Sequence, residues 1–106
     1  MSDAVAAYEK LAKAFAATKG VTAGQMFGKA CLKIKGKAFV AQHLDTVVFK
    51  LTSSSHEKAL AIPGATLWDP SGKGRPMKEW VAVPAGASRN FKTLASAALA
   101  YVADNA

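Results

Sequence analysis

The chain has 106 residues, a length that suits one small domain with one hydrophobic core and excludes separate cofactor and substrate domains. Apolar residues make up 51% of the chain, but 23 of them are alanines, so 31 larger apolar side chains remain to build the core. Charged residues are only 20% of the total, which argues against a disordered chain. The sequence therefore predicts a single domain over residues 1–106, with alanine-rich helices.

The charge balance is basic, with 14 lysines and arginines against seven acids and a net charge of +7. Such a balance favours contact with polyanions, which are nucleic acid, an anionic membrane surface or acidic proteins. Twelve of the 14 basic residues are lysines, and only Arg75 and Arg89 can offer the planar guanidinium fork that reads guanine edges. The composition thus favours nonspecific attraction over base-specific recognition, and a lysine-rich surface without a special role stays an alternative.

The compartment is predicted from what the sequence lacks. Cys31 is the single cysteine, so no internal disulfide can form and no zinc site with several thiolates is possible. The first ten residues include Asp3 and Glu9 and lack the apolar run of a signal peptide. No segment approaches the ~20 apolar residues of a membrane span. We therefore expect a cytoplasmic protein with no membrane contact, no metal and no cofactor.

The first half of the chain changes from a helical to a strand period. Apolar residues recur at helical spacing over about residues 3–19, which predicts a first helix. Three glycines mark residues 20–30 as a connecting segment. Residues 31–35, 38–43 and 47–51 alternate with period two and have short connections, so they predict a three-stranded antiparallel meander.

The second half adds a short helix, two strands and a last helix. Ser54 with Glu57 fits a capping box at the start of the short helix. Strands are predicted at residues 66–68 and 77–83, and the last helix over about residues 88–103. The order α-β-β-β-α-β-β-α predicts a two-layer α/β sandwich of the α+β class, with helices on one face of an antiparallel sheet.

Alternation along the strands predicts which side chains share a face of the sheet. A two-residue turn at Lys35-Gly36 places Leu32 opposite Phe39. The face that includes this pair is predicted to be the core face, covered by the first and last helices. Its predicted members are Leu32, Ile34, Phe39, Ala41, Val47, Phe49 and Leu51.

The opposite face is predicted to be open to solvent and to include Cys31. Trp80 belongs to this face if Val81 and Val83 point into the core, and with the other parity it is a core residue. A mixture of valine, tryptophan and lysine is unusual for plain solvent exposure, so we expect this face to bind a protein partner or a second copy of the chain. The candidate partner-binding residues are Lys33, Val40, Gln42, Val48, Lys50, Lys78 and Trp80.

Residue patterns that indicate catalysis are sparse. His43 and His56 are far apart and show no metal-ligand spacing, so a structural or surface role is expected for each. Cys31 would need a base nearby to act as a nucleophile, and Lys33 on the same face could lower the pKa of its thiol. A small packed thiol is the alternative. We therefore expect no enzyme activity.

Several short segments then occur in one order along the chain. They are Met26-Phe27-Gly28, Gly36-Lys37-Ala38-Phe39, Val48-Phe49-Lys50-Leu51 and Trp80-Val81-Ala82-Val83-Pro84, followed by a helix with Leu94, Ala98 and Tyr101. Over about residues 8–104 the chain resembles the N-terminal domain of the TfoX/Sxy family of bacterial competence regulators. It departs from the family pattern at Lys29-Ala30, where many relatives have a second glycine or an apolar residue.

The resemblance implies an α-β3-α-β2-α two-layer fold, similar to YjbR-like and secretion-chaperone-like domains. It implies no catalytic residues. Full-length family members have a second, helical domain and act with a cyclic-AMP-responsive transcription activator at competence promoters. The resemblance therefore implies a stand-alone N-terminal domain that binds a partner and is linked to transcription regulation.

Three functions stay open. A non-enzymatic module that binds a protein partner, or forms a homodimer, is favoured. Direct nucleic-acid binding of low specificity is the alternative, and its candidate residues are Lys33, Lys35, Lys37, Lys50, Arg75 and Lys78. A small-ligand pocket is the third, and its candidate lining is Met26, Phe27, Cys31 and Trp80.

Overall fold

The computed structural model describes residues 3–26, 29–69 and 77–104. Its helices are α1 (Asp3–Phe15), α2 (Ser53–Leu60) and α3 (Phe91–Asp104), and a 3₁₀ helix, Ala85–Asn90, leads into α3. Its strands are β1 (Val21–Met26), β2 (Lys29–Ile34), β3 (Lys37–His43), β4 (Thr46–Lys50), β5 (Thr66–Trp68) and β6 (Met77–Pro84).

The strands form one antiparallel sheet in the order β1-β2-β3-β4-β6-β5. α1 and α3 pack across β3 and β4, and α2 packs against β6. The chain is therefore an α+β domain of two layers, and the predicted fold class and the predicted order of helices and strands are confirmed. We call the sheet face that the helices cover the helix side, and the other face the open face.

β1 is an additional edge strand in a segment that the sequence predicted to be a connection. It pairs with β2 from Val21 opposite Ile34 to Met26 opposite Lys29. An edge strand is held mainly by backbone hydrogen bonds to one neighbour, so β1 does not need the alternation of large apolar residues that marks a half-buried strand. Gly24 also made a strand harder to predict in this segment, since glycine is depleted in strands.

The main core lies between the sheet and the helices. Aromatic rings link the layers: the ring centroids of Phe15 and Phe39 are 6.1 Å apart, and those of Phe49 and Phe91 are 5.4 Å apart. The strand residues of this core are Leu32, Ile34, Phe39, Val40, Val47, Phe49, Leu51, Val81 and Val83. The fully buried helix residues of the core include Ala4, Ala59, Ala95 and Ala98, so the alanine-rich composition is used to bring helices close to the sheet.

A smaller apolar cluster lies on the open face. Its buried residues are Cys31, Ala41, Val48, Trp68, Trp80 and Ala82, and we call them the open-face cluster. None of these six residues belongs to a helix. Val81 and Val83 are in the main core, so the predicted parity of the last strand is confirmed and Trp80 lies on the face opposite to the helices.

A β-bulge in β3 determines which residues of that strand face the helices. Leu32 in β2 pairs with Val40, but the next residue, Lys33, pairs with Ala38, so Phe39 is the extra residue. A bulge places two adjacent side chains against one partner residue and reorients the strand beyond it. The side chains of residues 39 and 40 are accordingly both fully buried in the main core.

The bulge reverses the predicted parity of the rest of β3. Ala41, which we predicted on the core face, lies on the open face, paired with Cys31 and with Val48. Val40, which we predicted on the open face, belongs to the main core. Gln42, also predicted on the open face, has the same parity as Val40 and therefore faces the helix side.

The ends of the first two helices differ from the predicted ends. α1 stops at Phe15, and residues 16–20 form turns before β1 begins. α2 begins at Ser53, so Thr52 is its N-cap residue and makes no side-chain capping bond; Ser54 lies inside the helix and the predicted capping box is wrong. Among the described residues, no helix has the length and apolar character needed to cross a membrane.

Candidate functional site

The open-face cluster is built around two tryptophans. Their ring centroids are 5.4 Å apart in an edge-to-face arrangement, a geometry that aromatic pairs favour. Trp68 is 2% exposed and Trp80 is 5% exposed. The two indoles therefore stabilise the sheet from the open face, but they offer little surface to a partner.

Lysines surround this cluster. Lys50 pairs across the sheet with Trp80, and Lys33 precedes the two-residue turn at the end of β2; both side chains are half-buried. Lys29 has the same parity as Cys31, so it also lies on the open face. A lysine can keep its apolar stem on such a cluster while its ammonium group stays in water.

Lys78 is an exposed lysine near the start of β6. Its neighbour Glu79 accepts a hydrogen bond from the hydroxyl of Tyr101 in α3, so Glu79 faces the helix side. The ladder between β5 and β6 shifts register here, from Leu67 opposite Val81 to Trp68 opposite Met77, so alternation from Trp80 does not assign Lys78 to a face. Four predicted partner-binding residues, Lys33, Val48, Lys50 and Trp80, share the open face; Val48 is fully buried there.

Two predicted partner-binding residues are not part of this surface. Val40 is fully buried under the helices because of the bulge. The side-chain amide of Gln42 donates to the backbone carbonyls of Leu44, at 2.6 Å, and Thr46, at 3.5 Å. Gln42 therefore holds the turn between β3 and β4 instead of contributing to the open face.

Gly24 lets Lys33 lie flat on the sheet. β1 places Gly24 opposite Cys31, two positions along the ladder from the pair that Lys33 makes with Thr22 and therefore on the same face. A Cβ atom at position 24 would lie 3.2 Å from the Cε atom of Lys33 and 3.4 Å from its Nζ atom, so the lysine stem passes directly over the glycine. This contact directs the ammonium group along the edge of the open face.

The carboxylates are mostly on the other side of the molecule. Four of the seven lie on helices, and Glu79 points to the helix side as well. Asp45 is in the turn between β3 and β4, and Asp69 follows β5. The helical carboxylates are Asp3, Glu9, Glu57 and Asp104. The helices also have lysines that offset these acids, whereas the lysines of the open face have few carboxylates near them, so we expect the open face to have a positive potential.

His43 lies at the end of the open face and contacts the tryptophan cluster. The indole N–H of Trp68 donates to Nδ1 of His43 at 2.5 Å, and the two rings meet edge to face. Burial lowers the pKa of His43, and the charge of Lys29 lowers it further. His43 shares the parity of Ala41, which we predicted on the core face, so the bulge in β3 is also what brings His43 to the open face.

Cys31 is a packed thiol. Its side chain is fully buried and unpaired with another cysteine. Burial raises the pKa of the Cys31 thiol, and the nearby charge of Lys33 opposes that effect only in part. The thiolate needed for nucleophilic attack is therefore disfavoured. Within the described part of the chain, no group of three or more His, Cys, Asp or Glu residues could hold a metal ion.

The remaining predicted residues fall into three groups. Lys35 forms the turn between β2 and β3, Lys37 begins β3, and both are exposed beside Lys33. Arg75 and Phe27, the latter a residue of the predicted ligand pocket, lie outside the described residues, as does the Met26 side chain. Cys31 and Trp80, the other two residues of that predicted pocket, are packed within the open-face cluster.

Sequence reasoning missed three residues of this face. Lys29 could have been found, because it continues the alternation of Cys31 and Lys33 by one step. Trp68 and His43 could not, since their contact depends on the bulge and on the pairing of β5 with β6. His56, which we expected to be structural or exposed, bonds through Nε2 to the backbone carbonyl of Lys78 at 2.7 Å.

No family model, no curated protein and no solved structure matches this chain.

Proposed function

We propose that this chain is a non-catalytic binding module of the bacterial cytoplasm that binds an acidic partner protein through its open face. The observation that supports the proposal is the excess of positive charge on the open face, where Lys29, Lys33 and Lys50 lie together while most carboxylates are on the helix side. The resemblance to the TfoX/Sxy N-terminal domain supports the same class of function and suggests a partner in transcription regulation.

The rigidity of the open face favours a preformed docking surface. Strands β2, β3, β4 and β6 all contribute to this face, and the two buried tryptophans pack at its centre. Lysines on a packed sheet lose less conformational freedom on binding than lysines on a loop, so more of the electrostatic attraction is available as affinity. Complementary charge would also accelerate the encounter with an acidic surface.

A homodimer through the open face is less favoured than an acidic partner. A two-fold symmetric contact joins the same patch on both copies. It would therefore bring the lysines of one copy against the lysines of the other, and like charges across an interface are costly. Sedimentation equilibrium tests this point: we expect a monomer at low ionic strength.

Nucleic acid of low sequence specificity is the second candidate, because the exposed Lys35 and Lys37 extend the basic surface at the turn between β2 and β3. Single-strand binding usually needs exposed aromatic rings on which bases stack, whereas Trp68 and Trp80 are buried. Contact would therefore be restricted to phosphates, as expected of lysines.

The test is a charge-reversal pair with a matched control. The variant Lys33→Glu/Lys50→Glu reverses two charges on the open face, whereas Lys13→Glu/Lys58→Glu reverses two exposed charges on α1 and α2. Both change the net charge equally. In quantitative pull-downs we expect the first variant to lose the acidic partner and the second to retain it. Equal recovery by both variants would exclude the open face.

The same two variants test the nucleic-acid candidate. Binding of random-sequence duplex DNA at about 50 mM salt, with the affinity falling with salt by a slope near −0.9 per neutralised phosphate, would favour it. We expect no mobility shift of the duplex under these conditions. If the duplex does shift, and the shift is lost with Lys33→Glu/Lys50→Glu but not with Lys13→Glu/Lys58→Glu, the ligand of the open face is nucleic acid and not a protein.

A further inference from the structure

A groove on the helix side lies between α1 and the start of α3. Its volume is about 500 Å³, within the range of about 300–1,000 Å³ that small-molecule sites occupy. The 3₁₀ helix before α3 packs against α1 and closes one end of the groove with Ser88 and Arg89. None of the groove residues belongs to the open face.

The floor of the groove is apolar and consists mainly of alanine. Ala6, Ala7 and Ala14 on α1 line it, and Ala6 and Ala14 are exposed. Leu11 and Phe91 lie beneath them at 4% and 2% exposure, so they support the floor from the main core but offer little surface themselves. An apolar body could therefore be buried here without rearrangement of the core.

The rim of the groove is basic. Lys10 on α1, Arg89 on the 3₁₀ helix and Lys92 on α3 line it, and all three side chains are exposed. Asp3 is the one carboxylate among the described lining residues. Three cations from three different elements thus line a groove with an apolar floor, a combination that complements a ligand with a negative head and an apolar body.

We propose that this groove binds a small amphipathic anion, with a carboxylate or phosphate head bound by Lys10, Arg89 and Lys92 and an acyl or aryl body on the floor formed by Ala6, Ala7 and Ala14. Arg89 can bind either head in a bidentate manner, and the lysines act as point charges. The apolar body accounts for the floor, which a free inorganic anion would not use. The site is independent of the proposed function of the open face.

The experiment uses octanoate, octyl phosphate and octyltrimethylammonium as probes of the full chain. Isothermal titration calorimetry measures affinity, and amide chemical shifts of the ¹⁵N-labelled protein locate the probe. We expect both anions to bind and to shift the amides of the groove, and the cation of equal chain length not to bind. Tighter binding of octyl phosphate would identify a phosphate head, and equal or tighter binding of octanoate a carboxylate head.

Two variants with matched controls locate the site. Lys10→Glu/Arg89→Glu should weaken octanoate by about tenfold, whereas Lys13→Glu/Lys58→Glu, which makes the same change in net charge, should not. Ala6→Trp fills the groove from an exposed position and should abolish binding, whereas Ala100→Trp at an exposed position of α3 should have no effect. All six positions are exposed, so the fold is expected to remain intact.

Three results would overturn the proposal. The first is that neither anion binds at about 10 mM, which is tenfold above the weakest Kd of about 1 mM that such a site should have. The second is that octyltrimethylammonium binds as tightly as the anions. The third is that Ala6→Trp leaves the affinity for octanoate unchanged. Lys33→Glu/Lys50→Glu should leave octanoate binding unaltered, so failure here and failure of the open-face proposal can be told apart.

Discussion

At the scale of single residues, the contact between His43 and Trp68 is the most specific polar interaction of the open face. Nδ1 of His43 accepts the indole N–H, so the imidazole must be neutral with its proton on Nε2. Protonation of Nδ1 would remove the acceptor and leave the indole N–H of Trp68 without this partner. The bond therefore couples the packing of the tryptophan cluster to pH.

The sign of this pH dependence follows from the lowered pKa of His43. In the unfolded chain His43 has an ordinary pKa near 6.5, so it binds a proton more readily there than in the folded protein. The contribution of His43 to the free energy of unfolding is therefore complete above pH 6.5 and is lost as the pH falls through the pKa of His43 in the folded protein. We expect the stability difference between wild type and His43→Asn, which keeps an acceptor but does not titrate, to shrink from about pH 7.5 to about pH 5.

Urea unfolding of both proteins at each pH gives this difference, and other titrating groups cancel from it. An NMR titration of the His43 ring protons supplies an independent value, which should lie below the ordinary histidine pKa. A stability difference that grows toward low pH, together with a raised pKa, would contradict the hydrogen bond to Trp68.

At the scale of elements, the connection between α1 and β1 depends on a glycine. Gly20 has φ +88°, and a Cβ atom there would lie 2.9 Å from Cδ1 of Ile34. Both the backbone conformation and the close approach of the buried isoleucine require glycine. The turn thereby fixes where the edge strand begins and which of its residues pair with β2.

The variant Gly20→Ala should be destabilising by about 1–3 kcal/mol, because alanine must adopt a left-handed backbone and displace Ile34. Gly86→Ala is the matched control. Its Cβ atom would meet nothing within 4 Å and its φ is not positive, so it should be neutral or stabilising by about 0.4–1 kcal/mol. Equilibrium unfolding in urea measures both, and equal midpoints would show that the turn is free to rearrange.

Hydrophobic periodicity predicted the helices and the central strands because a large fraction of their residues is buried on one side. Leu32, Ile34, Val47 and Phe49 alternate as expected and lie in the main core. The bulge at Phe39 was not predictable from alternation, since Phe39 and Val40 are both apolar and either could have pointed to the helices. Two large apolar residues in succession, opposite a strictly alternating strand, are the only signal of it.

The candidate site was predictable in its composition but not in its details. Lys33, Lys50 and Trp80 share a face because strand alternation and the parity of β6 are local properties. The burial of Trp80 depends on its contact with Trp68, which β5 brings from elsewhere in the chain. The groove between α1 and α3 depends on how two helices distant in sequence pack, and no pattern in one helix predicts that.

At the scale of the whole molecule, the sheet separates two apolar clusters, and Cys31 is fully buried in the smaller one. Its thiol can react with a bulky reagent only after the structure opens. If the sheet opens as a unit, the reaction rate in native conditions reports the free energy of global unfolding.

We expect Phe39→Ala, in the main core on the other side of the sheet, to lower the unfolding free energy by about 3–5 kcal/mol and to accelerate modification of Cys31 by 5,5′-dithiobis(2-nitrobenzoic acid) by roughly a hundredfold or more. Leu44→Ala, at a side chain that is 76% exposed, should change the rate by no more than about threefold. Equal rates in wild type and Phe39→Ala would mean that the open face opens without the main core.

The pairing of Trp68 with Trp80 also gives the protein a built-in optical signal. These are the two tryptophans of the chain, and both lie in the open-face cluster. Their emission should be blue-shifted because both indoles are shielded from water, and coupling between rings 5.4 Å apart should give a strong near-ultraviolet circular dichroism band. Since the helix side has no tryptophan, fluorescence reports events on one face of the sheet, and a ligand in the groove between α1 and α3 should leave it unchanged.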